Sequence, residues 1–409
     1  MTLDEQVALL MQGTEYGDET LKANMTRELR ERLALAGKEG RPLRVYCGYD
    51  PTSKDLHLGH TVTMRKLRQF QELGHEVTFL IGSYTALVGD PSDKNKTRPI
   101  LTEEQVAENG RTYAGQAFRI LDRNKTKIRY NGEWLSELSL LDLIRLGQNF
   151  TVQQFLSREN FAKRIDSGEP IYLHETFYAL MQGYDAVAQQ TDVQVGGTDQ
   201  LFNIIVAGRR LQGALGQKPL VGIITGILPG TDGALKMSKT TGNAIPIDTT
   251  PEDTYGKVMS LPDSPMPLFF KLVTRYTPAQ IAEVEKGLAD GSRHPRDTKM
   301  ELARELVAIF HGDDKVVAAE EHFRTVFQKG ALPEDMPIIL ITGEPMLVEF
   351  LADNKLVKSR GEARRLIEQN GVRVGGLTVT DIATRLVVEK EMVVQVGKRV
   401  FVKAVKRNQ

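Results

Sequence analysis

The chain has 409 residues, room for two to four domains at roughly 100 to 200 residues each. Its 41% hydrophobic and 26% charged residues exclude a disordered, collagenous or coiled-coil chain, and no run of 18 apolar residues is present to cross a bilayer. Net charge is zero, from 53 basic and 53 acidic residues, yet residues 346 to 409 carry 13 Lys and Arg against 7 Asp and Glu, a basic tail of +6 on a body of −6 of the kind that meets nucleic acid.

The first nineteen residues are acidic and lack a basic stretch followed by an apolar one, so no secretory signal is expected. Polar and apolar positions then mix at helical spacing from Glu19 to Leu35. Leu43, Val45 and Cys47 alternate with other residues until Gly48, Asp50 and Pro51, which reads as a strand running into a loop. Cys47 is the single cysteine, so the chain has no internal disulfide and no cysteine-based zinc site, in keeping with a reducing cytoplasm. Val62, Met64, Leu67, Phe70 and Leu73 form a helical stripe closed by Gly74, and Glu76 to Ile81 is a second strand. Strand, helix and strand within about forty residues make a βαβ unit with a parallel pair.

Residues from about 100 to 190 read as a helical insertion, after which strands are expected at Asp192 to Val195 and Pro219 to Ile227, with a helix from Leu201 to Leu211 between them. Helical pattern resumes after Pro246 and continues to about 330, and the prolines at 333, 337 and 345 mark a linker. The fold expected is α/β: a doubly wound parallel Rossmann-like sheet with a helical insertion, then an α-helical domain and a small α+β RNA-binding domain. The boundaries are 1–230 for the catalytic domain, 231–250 for a loop and connection, 251–330 for the helical domain, 331–345 for the linker and 346–409 for the tail.

Two short motifs carry chemistry. His57-Leu58-Gly59-His60 stands where the first loop passes into a helix, so two imidazoles at i and i+3 face one anionic group beside the positive helix end. A structural role is the alternative, and a zinc site by this pair is disfavoured because no third ligand stands at metal spacing. Lys236-Met237-Ser238-Lys239, in a Gly- and Thr-rich stretch, puts two ammonium groups on a loop that could swing to phosphates. A solvated lysine pair is the bland alternative. Together the two motifs fall at the carboxyl edge of one parallel sheet, where doubly wound folds bind ligands. A third set, Tyr178, Gln182 and Asp185, falls at i, i+4 and i+7, so a helix would put a hydroxyl, an amide and a carboxylate on one face, unless that face is an exposed stripe.

HLGH and KMSKT resemble the two signatures of class I aminoacyl-tRNA synthetases, usually written HIGH and KMSKS. Val45-Tyr46-Cys47-Gly48-Tyr49-Asp50-Pro51-Thr52, Gly89-Asp90-Pro91, the Tyr178/Gln182/Asp185 helix and Gly196-Gly197-Thr198-Asp199-Gln200 resemble, in order, the bacterial tyrosyl-tRNA synthetases. The chain departs from some relatives in reading Leu-Phe-Asn after Gly-Thr-Asp-Gln where they read Trp-Gly-Asn, and KMSKT where they read KFGKT, which fits the KMSKS-loop subgroup.

The resemblance implies that Tyr178, Gln182 and Asp90 hold the tyrosine ammonium, that Tyr46 and Asp185 hold its phenolic hydroxyl, and that Gln200 reaches its carboxylate. Gly48, Asp50, Thr52, Gly59 and Asp199 would line the ATP side, with Thr52, His57, His60, Lys236 and Lys239 at the phosphates. Cys47 matches a ribose-contacting cysteine, although a buried strand cysteine is more often a small hydrophobe. Lys94 and Arg98 would serve a mobile loop that helps pyrophosphate leave, with a solvated loop as the alternative.

In the tail, Lys358, Arg360, Arg364 and Arg365 lie on an amphipathic basic helix, followed by strands from Val393 to Val402. This pattern resembles the small RNA-binding domain named after ribosomal small-subunit protein four; the alternative is a solvated basic helix. The implied function is a cytoplasmic tyrosine–tRNA ligase taking L-tyrosine, ATP with Mg2+ and tRNA(Tyr). It would be a homodimer built through the insertion, with no bound prosthetic group, protein-held metal, membrane or DNA partner. A tryptophan-specific relative, a metabolic H-x-G-H nucleotidyltransferase without tRNA and an RNA-binding module without catalysis are the rivals.

Overall fold

The computed structural model describes residues 1–92, 101–239, 241–328, 336–397 and 400–406. Lys94 and Arg98, expected on a mobile loop, lie outside the described residues. The chain divides into two compact units, Met1–Val316 and Val317–Gln409.

The first unit is built on five parallel strands, β1 Arg44–Tyr49, β2 Glu76–Ile81, β3 Thr126–Tyr130, β4 Val193–Gly197 and β5 Val221–Thr225, in the order β3-β2-β1-β4-β5. Every residue of β5 is buried, as a strand covered on both faces must be, and most of β1, β2 and β4 is buried too. The helix Leu58–Glu72 crosses from β1 to β2 and turns Val62, Met64, Leu67 and Phe70 inward; burying Phe70 alone is worth roughly 2–3 kcal/mol. At the amino ends of the strands, the buried Asp192 accepts from Arg32 Nη1 at 2.8 Å, Arg41 Nη1 at 2.9 Å and the Arg44 amide at 3.0 Å, which ties the starts of β1 and β4 together. Burial opposes its charge, but these donors hold its carboxyl below the usual range.

Two features of this unit depart from the sequence reading. The segment read as a helical insertion contains β3, whose five half-exposed residues TKIRY include two basic ones and stand among helical stretches. The helix expected from Leu201 starts instead as a tight turn at Thr198–Gln200, widens into a π-helical stretch over Phe202–Gly208 and becomes α-helical at Arg209–Ala214. Widened turns of this kind are frequent at functional sites. The insertion otherwise consists of helices, among them Glu103–Ala117, Glu159–Asp166 and Leu173–Ala188. Beyond the lysine loop come Pro251–Met259, Met266–Val273, Pro278–Ala289 and Pro295–His311, three of which begin with proline at the position where no amide donor is needed.

The second unit has a sheet of β6 Ile338–Ile341, β7 Val372–Val374, β8 Leu377–Thr378, β9 Glu391–Val396 and β10 Val400–Lys406, in the order β6-β10-β9-β7-β8. Helices Leu347–Asp353 and Arg360–Glu368 pack onto it around Leu347, Leu351, Ile367 and Val394. β6 lies inside the stretch read as a linker, where it pairs in parallel with β10. No helix of the described residues is long and apolar enough to cross a membrane.

Candidate active site

β1 and β4 are neighbours at the centre of the first sheet, and the chain winds away from them to opposite sides. A crevice therefore opens at their carboxyl ends. It encloses about 820 Å³ and is lined by Tyr46, Gly48, Asp50 and Thr52 from the β1 end, and by Gly196, Asp199 and Gln200 from the β4 end. The histidine motif, Asp90, the Tyr178/Gln182/Asp185 face and both lysines join the same lining. Every residue assigned from the sequence to tyrosine or ATP is thus brought to one cavity.

At its closed end, Asp185 is buried on the Leu173–Ala188 helix and accepts from Trp134 Nε1 at 2.8 Å and Asn131 Nδ2 at 3.3 Å. Burial pushes its carboxyl up to about 8, against the pull of those two donors. Tyr46 is 1% exposed, and its hydroxyl lies 3.5 Å from the Gln182 carbonyl. Burial, then the Asp185 charge, holds that phenol well above its ordinary value, so it stays protonated. Asn131 and Trp134 were not read from the sequence. The signal present was that Trp134 is the only tryptophan in 409 residues.

Two helical turns along, the Tyr178 hydroxyl donates to Asp50 Oδ2 at 2.9 Å, and Thr85 donates to Asp50 Oδ1 at 2.7 Å. Asp50, expected on the ATP side, is thereby also fastened to the tyrosine helix. This carboxylate fits because residue 82 is glycine: a Cβ there would stand 1.9 Å from Asp50 Oδ1. Asp90 accepts from Gln200 Nε2 at 2.7 Å, and Asn203 Nδ2 bridges Gln182 Oε1 at 2.9 Å and Gln200 Oε1 at 3.0 Å. The widened helix turn is what delivers Asn203 to both amides.

At the open end, His57 is the residue capping the Leu58–Glu72 helix. The Gly59 amide donates to His57 Nδ1 at 3.2 Å, and the His57 amide donates to His60 Nδ1 at 3.2 Å, with ring centres 4.0 Å apart. Because each Nδ1 accepts, the pattern assigns the ring proton to Nε2. Burial drives His57 down to about 2, helped by the His60 charge, and His60 down to about 4. Both rings are neutral donors at physiological pH. Lys236 Nζ donates to Asp199 Oδ2 at 3.0 Å, and Lys239 Nζ to Ser53 Oγ and Asp55 Oδ2, each at 3.3 Å. Tyr113, another residue not read from the sequence, reaches the same Ser53 at 3.3 Å from the Glu103–Ala117 helix. Cys47 lines the cavity as a buried thiol, pushed up to about 11 by burial.

In the second unit, Ser359 caps the Arg360–Glu368 helix, its hydroxyl accepting from the Glu362 amide at 3.2 Å. Lys358, Arg360, Arg364 and Arg365 are all exposed on or beside that helix. Arg360 lies 3.4 Å from Glu349, and Arg365 lies 3.9 Å from Glu362. Exposed pairs of this length hold little free energy and leave the cations available to a phosphate chain.

Comparison with known proteins gives the same picture. Residues 38–328 match the family described as tRNA synthetases class I (W and Y), and residues 347–392 match the S4 domain. The tyrosine–tRNA ligase of Thermotoga maritima is 44% identical over 401 residues, covering 98% of this chain and 97% of that protein. That of Haemophilus influenzae is 48% identical over 387 residues, 93% of this chain and 96% of its own. Among solved structures, the tyrosyl-tRNA synthetase of Archaeoglobus fulgidus complexed with L-tyrosine shares the fold at 24% identity, with a TM-score of 0.60 over 77% of this chain and all of that one. With its sheet order, its two signatures and this match over most of its length, the chain belongs to the class I tRNA synthetases of the W and Y family.

Proposed function

We infer that the chain is a tyrosine–tRNA ligase, which activates L-tyrosine with ATP and then transfers it to tRNA. The observation that carries the reading is the closed end of the cavity, where Tyr46 and Asp185 form a polar pair in a buried wall, in the same cleft as the histidine pair and the two lysines. A phenolic hydroxyl adds a further hydrogen bond to that pair, and phenylalanine offers none in return for covering it, the principle for which tyrosyl enzymes are the known example. An indole carries no hydroxyl to meet the Tyr46 and Asp185 pair, which disfavours the tryptophan-specific branch of the family.

In the first step the tyrosine carboxylate attacks the α-phosphorus of ATP, forming tyrosyl-adenylate and releasing pyrophosphate. The carboxylate is already ionised at neutral pH, so positioning and charge stabilisation are what the chain supplies. Tyr178, Gln182 and Asp90 hold the ammonium, and Gln200 steers the carboxylate. Thr52 and the Nε2–H groups of His57 and His60 donate to the phosphates as neutral groups, so their contribution is directional and independent of pH above about 5. Lys236 and Lys239 exchange Asp199 and Asp55 for phosphate oxygens as charge builds on the leaving pyrophosphate. Gly48, Gly59 and Asp199 line the nucleotide side. ATP enters as its Mg2+ complex.

In the second step a ribose hydroxyl at the 3′ end of tRNA(Tyr) attacks the adenylate, the tRNA being held in part by Lys358, Arg360, Arg364 and Arg365. The enzyme works in the cytoplasm as a homodimer. Support for the dimer comes from the insertion, where Leu140, Leu141, Ile144, Val152 and Leu173 are all at least half exposed, large apolar side chains that a partner subunit would cover. The test is pyrophosphate exchange into ATP with tyrosine, phenylalanine and tryptophan in parallel. Exchange with tyrosine alone is expected, and exchange with none of the three overturns the reading.

A further inference from the structure

Behind the ammonium end of the site lies a buried cation that the mechanism above does not use. Arg158 stands at the start of the Glu159–Asp166 helix and is 4% exposed. Its guanidinium carbon lies 5.2 Å from the centre of the Phe161 ring and 5.0 Å from that of Phe202. Arg158 Nη2 donates to Ser92 Oγ at 2.7 Å. Ser92 in turn donates its hydroxyl, at 2.6 Å, and its amide, at 2.9 Å, to Asp90 Oδ1. Two residues on, Asn160 Nδ2 donates to the Pro91 carbonyl at 2.7 Å, so the start of one helix grips the Asp90–Ser92 loop twice.

Phe202 is, with Leu201, one of the two residues at which this sequence departs from the Trp-Gly-Asn of some relatives. A glycine offers no ring. Here the ring packs edge-on against Phe155 at 5.6 Å and presents its face to Arg158. The departure therefore comes with a use: it completes a two-ring slot for a buried guanidinium.

We propose that Arg158 is a positioning residue for the ammonium end of the tyrosine site, acting through Ser92 on Asp90, with Phe202 as its platform. The proposal rests on the reading of Asp90 as an ammonium-binding group. With Oδ1 tied to Ser92, Asp90 Oδ2 is the oxygen that meets both the Gln200 amide and the incoming ammonium. Arg158 orients the Ser92 hydroxyl by taking its lone pair, which sends the hydroxyl proton to Asp90. It does not line the cavity, so it touches no substrate. Burial lowers the guanidinium, and the Asp90 carboxylate is the foremost charge that holds it up, which is the coupling the proposal requires.

The test uses three ligands on the full-length enzyme: L-tyrosine as substrate, tyramine, which keeps the ammonium, and 3-(4-hydroxyphenyl)propanoate, which lacks it, the last two as competitive inhibitors of tyrosine-dependent exchange. In Arg158→Met, the KM for tyrosine and the inhibition constant of tyramine should both rise about tenfold, with kcat and the propanoate constant changed by less than about threefold. Phe202→Leu should shift the same two constants by about threefold. Equal weakening of all three ligands, or no change in any, overturns the proposal. Arg158→Lys, which keeps the charge without the fork, carries the same ratio test if Arg158→Met does not fold. Asp90→Asn separates the two layers: if it fails to discriminate tyramine from the propanoate, the reading of Asp90 falls. If it discriminates and the Arg158 variants do not, only the role of Arg158 falls.

Discussion

The two ends of the cleft are built on opposite plans. At the closed end, Asp185, Tyr46, Asn131 and Trp134 are held by helix and strand, mostly out of water, with Asp185 bonded to Asn131 and Trp134 before any substrate arrives. At the open end, Lys236 and Lys239 sit on a glycine-rich loop with side chains 43% and 38% exposed, resting on carboxylates. The first plan discriminates, because fixed, buried polar groups reward only a ligand that brings a matching hydrogen-bonding group. The second suits chemistry, because pairs between exposed groups cost little to exchange for a phosphate as its charge grows.

The largest expected effect is at the closed end. Asp185→Ala should lower kcat/KM for tyrosine by about 3 kcal/mol or more, over a hundredfold, while the fold persists; unchanged discrimination between tyrosine and phenylalanine would break the comparison. Next comes the open end, where Lys236→Ala and Lys239→Ala should each reduce kcat for exchange by roughly a hundredfold and leave tyrosine binding within about twofold. Equal losses in binding would mean that the lysine loop also shapes the recognition end.

A third test reads the energetic cost of the buried plan. A carboxyl raised to about 8 holds its proton in the folded chain while the unfolded chain releases it near pH 4, so this group makes the fold less stable as pH rises from about 4 to 8. Asp185→Asn should therefore gain stability relative to the parent as pH increases across that window, by at most a few kcal/mol at pH 8, read from denaturant unfolding. A constant difference at all pH values would place the proton elsewhere. The smallest effect is at Tyr113→Phe, which removes the hydroxyl that shares Ser53 with Lys239 and should cost kcat no more than about threefold.

Much of the closed plan was legible in the sequence because it is periodic. The Tyr178/Gln182/Asp185 spacing is that of one helix face, and β1, β2 and β4 announce themselves by apolar runs ending at glycine or a loop. β3 was not picked out, because TKIRY alternates over only five residues, with Lys127 and Arg129 on its solvated side, inside a stretch otherwise helical in pattern. β6 was hidden by the prolines around it, although none falls within Ile338–Ile341. Asn131 and Trp134 could not be joined to Asp185, since more than fifty residues separate them and only the packing of the insertion onto the sheet brings them together. The histidine motif was legible as a pair beside a helix end, but its neutrality depends on burial, which no motif states.

The order of strands has a consequence for how the enzyme comes into being on the ribosome. β1 ends at residue 49, yet its neighbour β4 ends only at residue 197, and the lysines follow at 236 and 239. An emerging chain can form the β1–β2 pair early, but its cleft has one wall until nearly half the chain has been made. Any product of interrupted translation that stops before the lysine loop therefore lacks Lys236 and Lys239, the groups proposed above to stabilise the leaving pyrophosphate. On that proposal, the protein that supplies translation with charged tRNA gains its full set of phosphate-binding groups only when its own translation is well advanced.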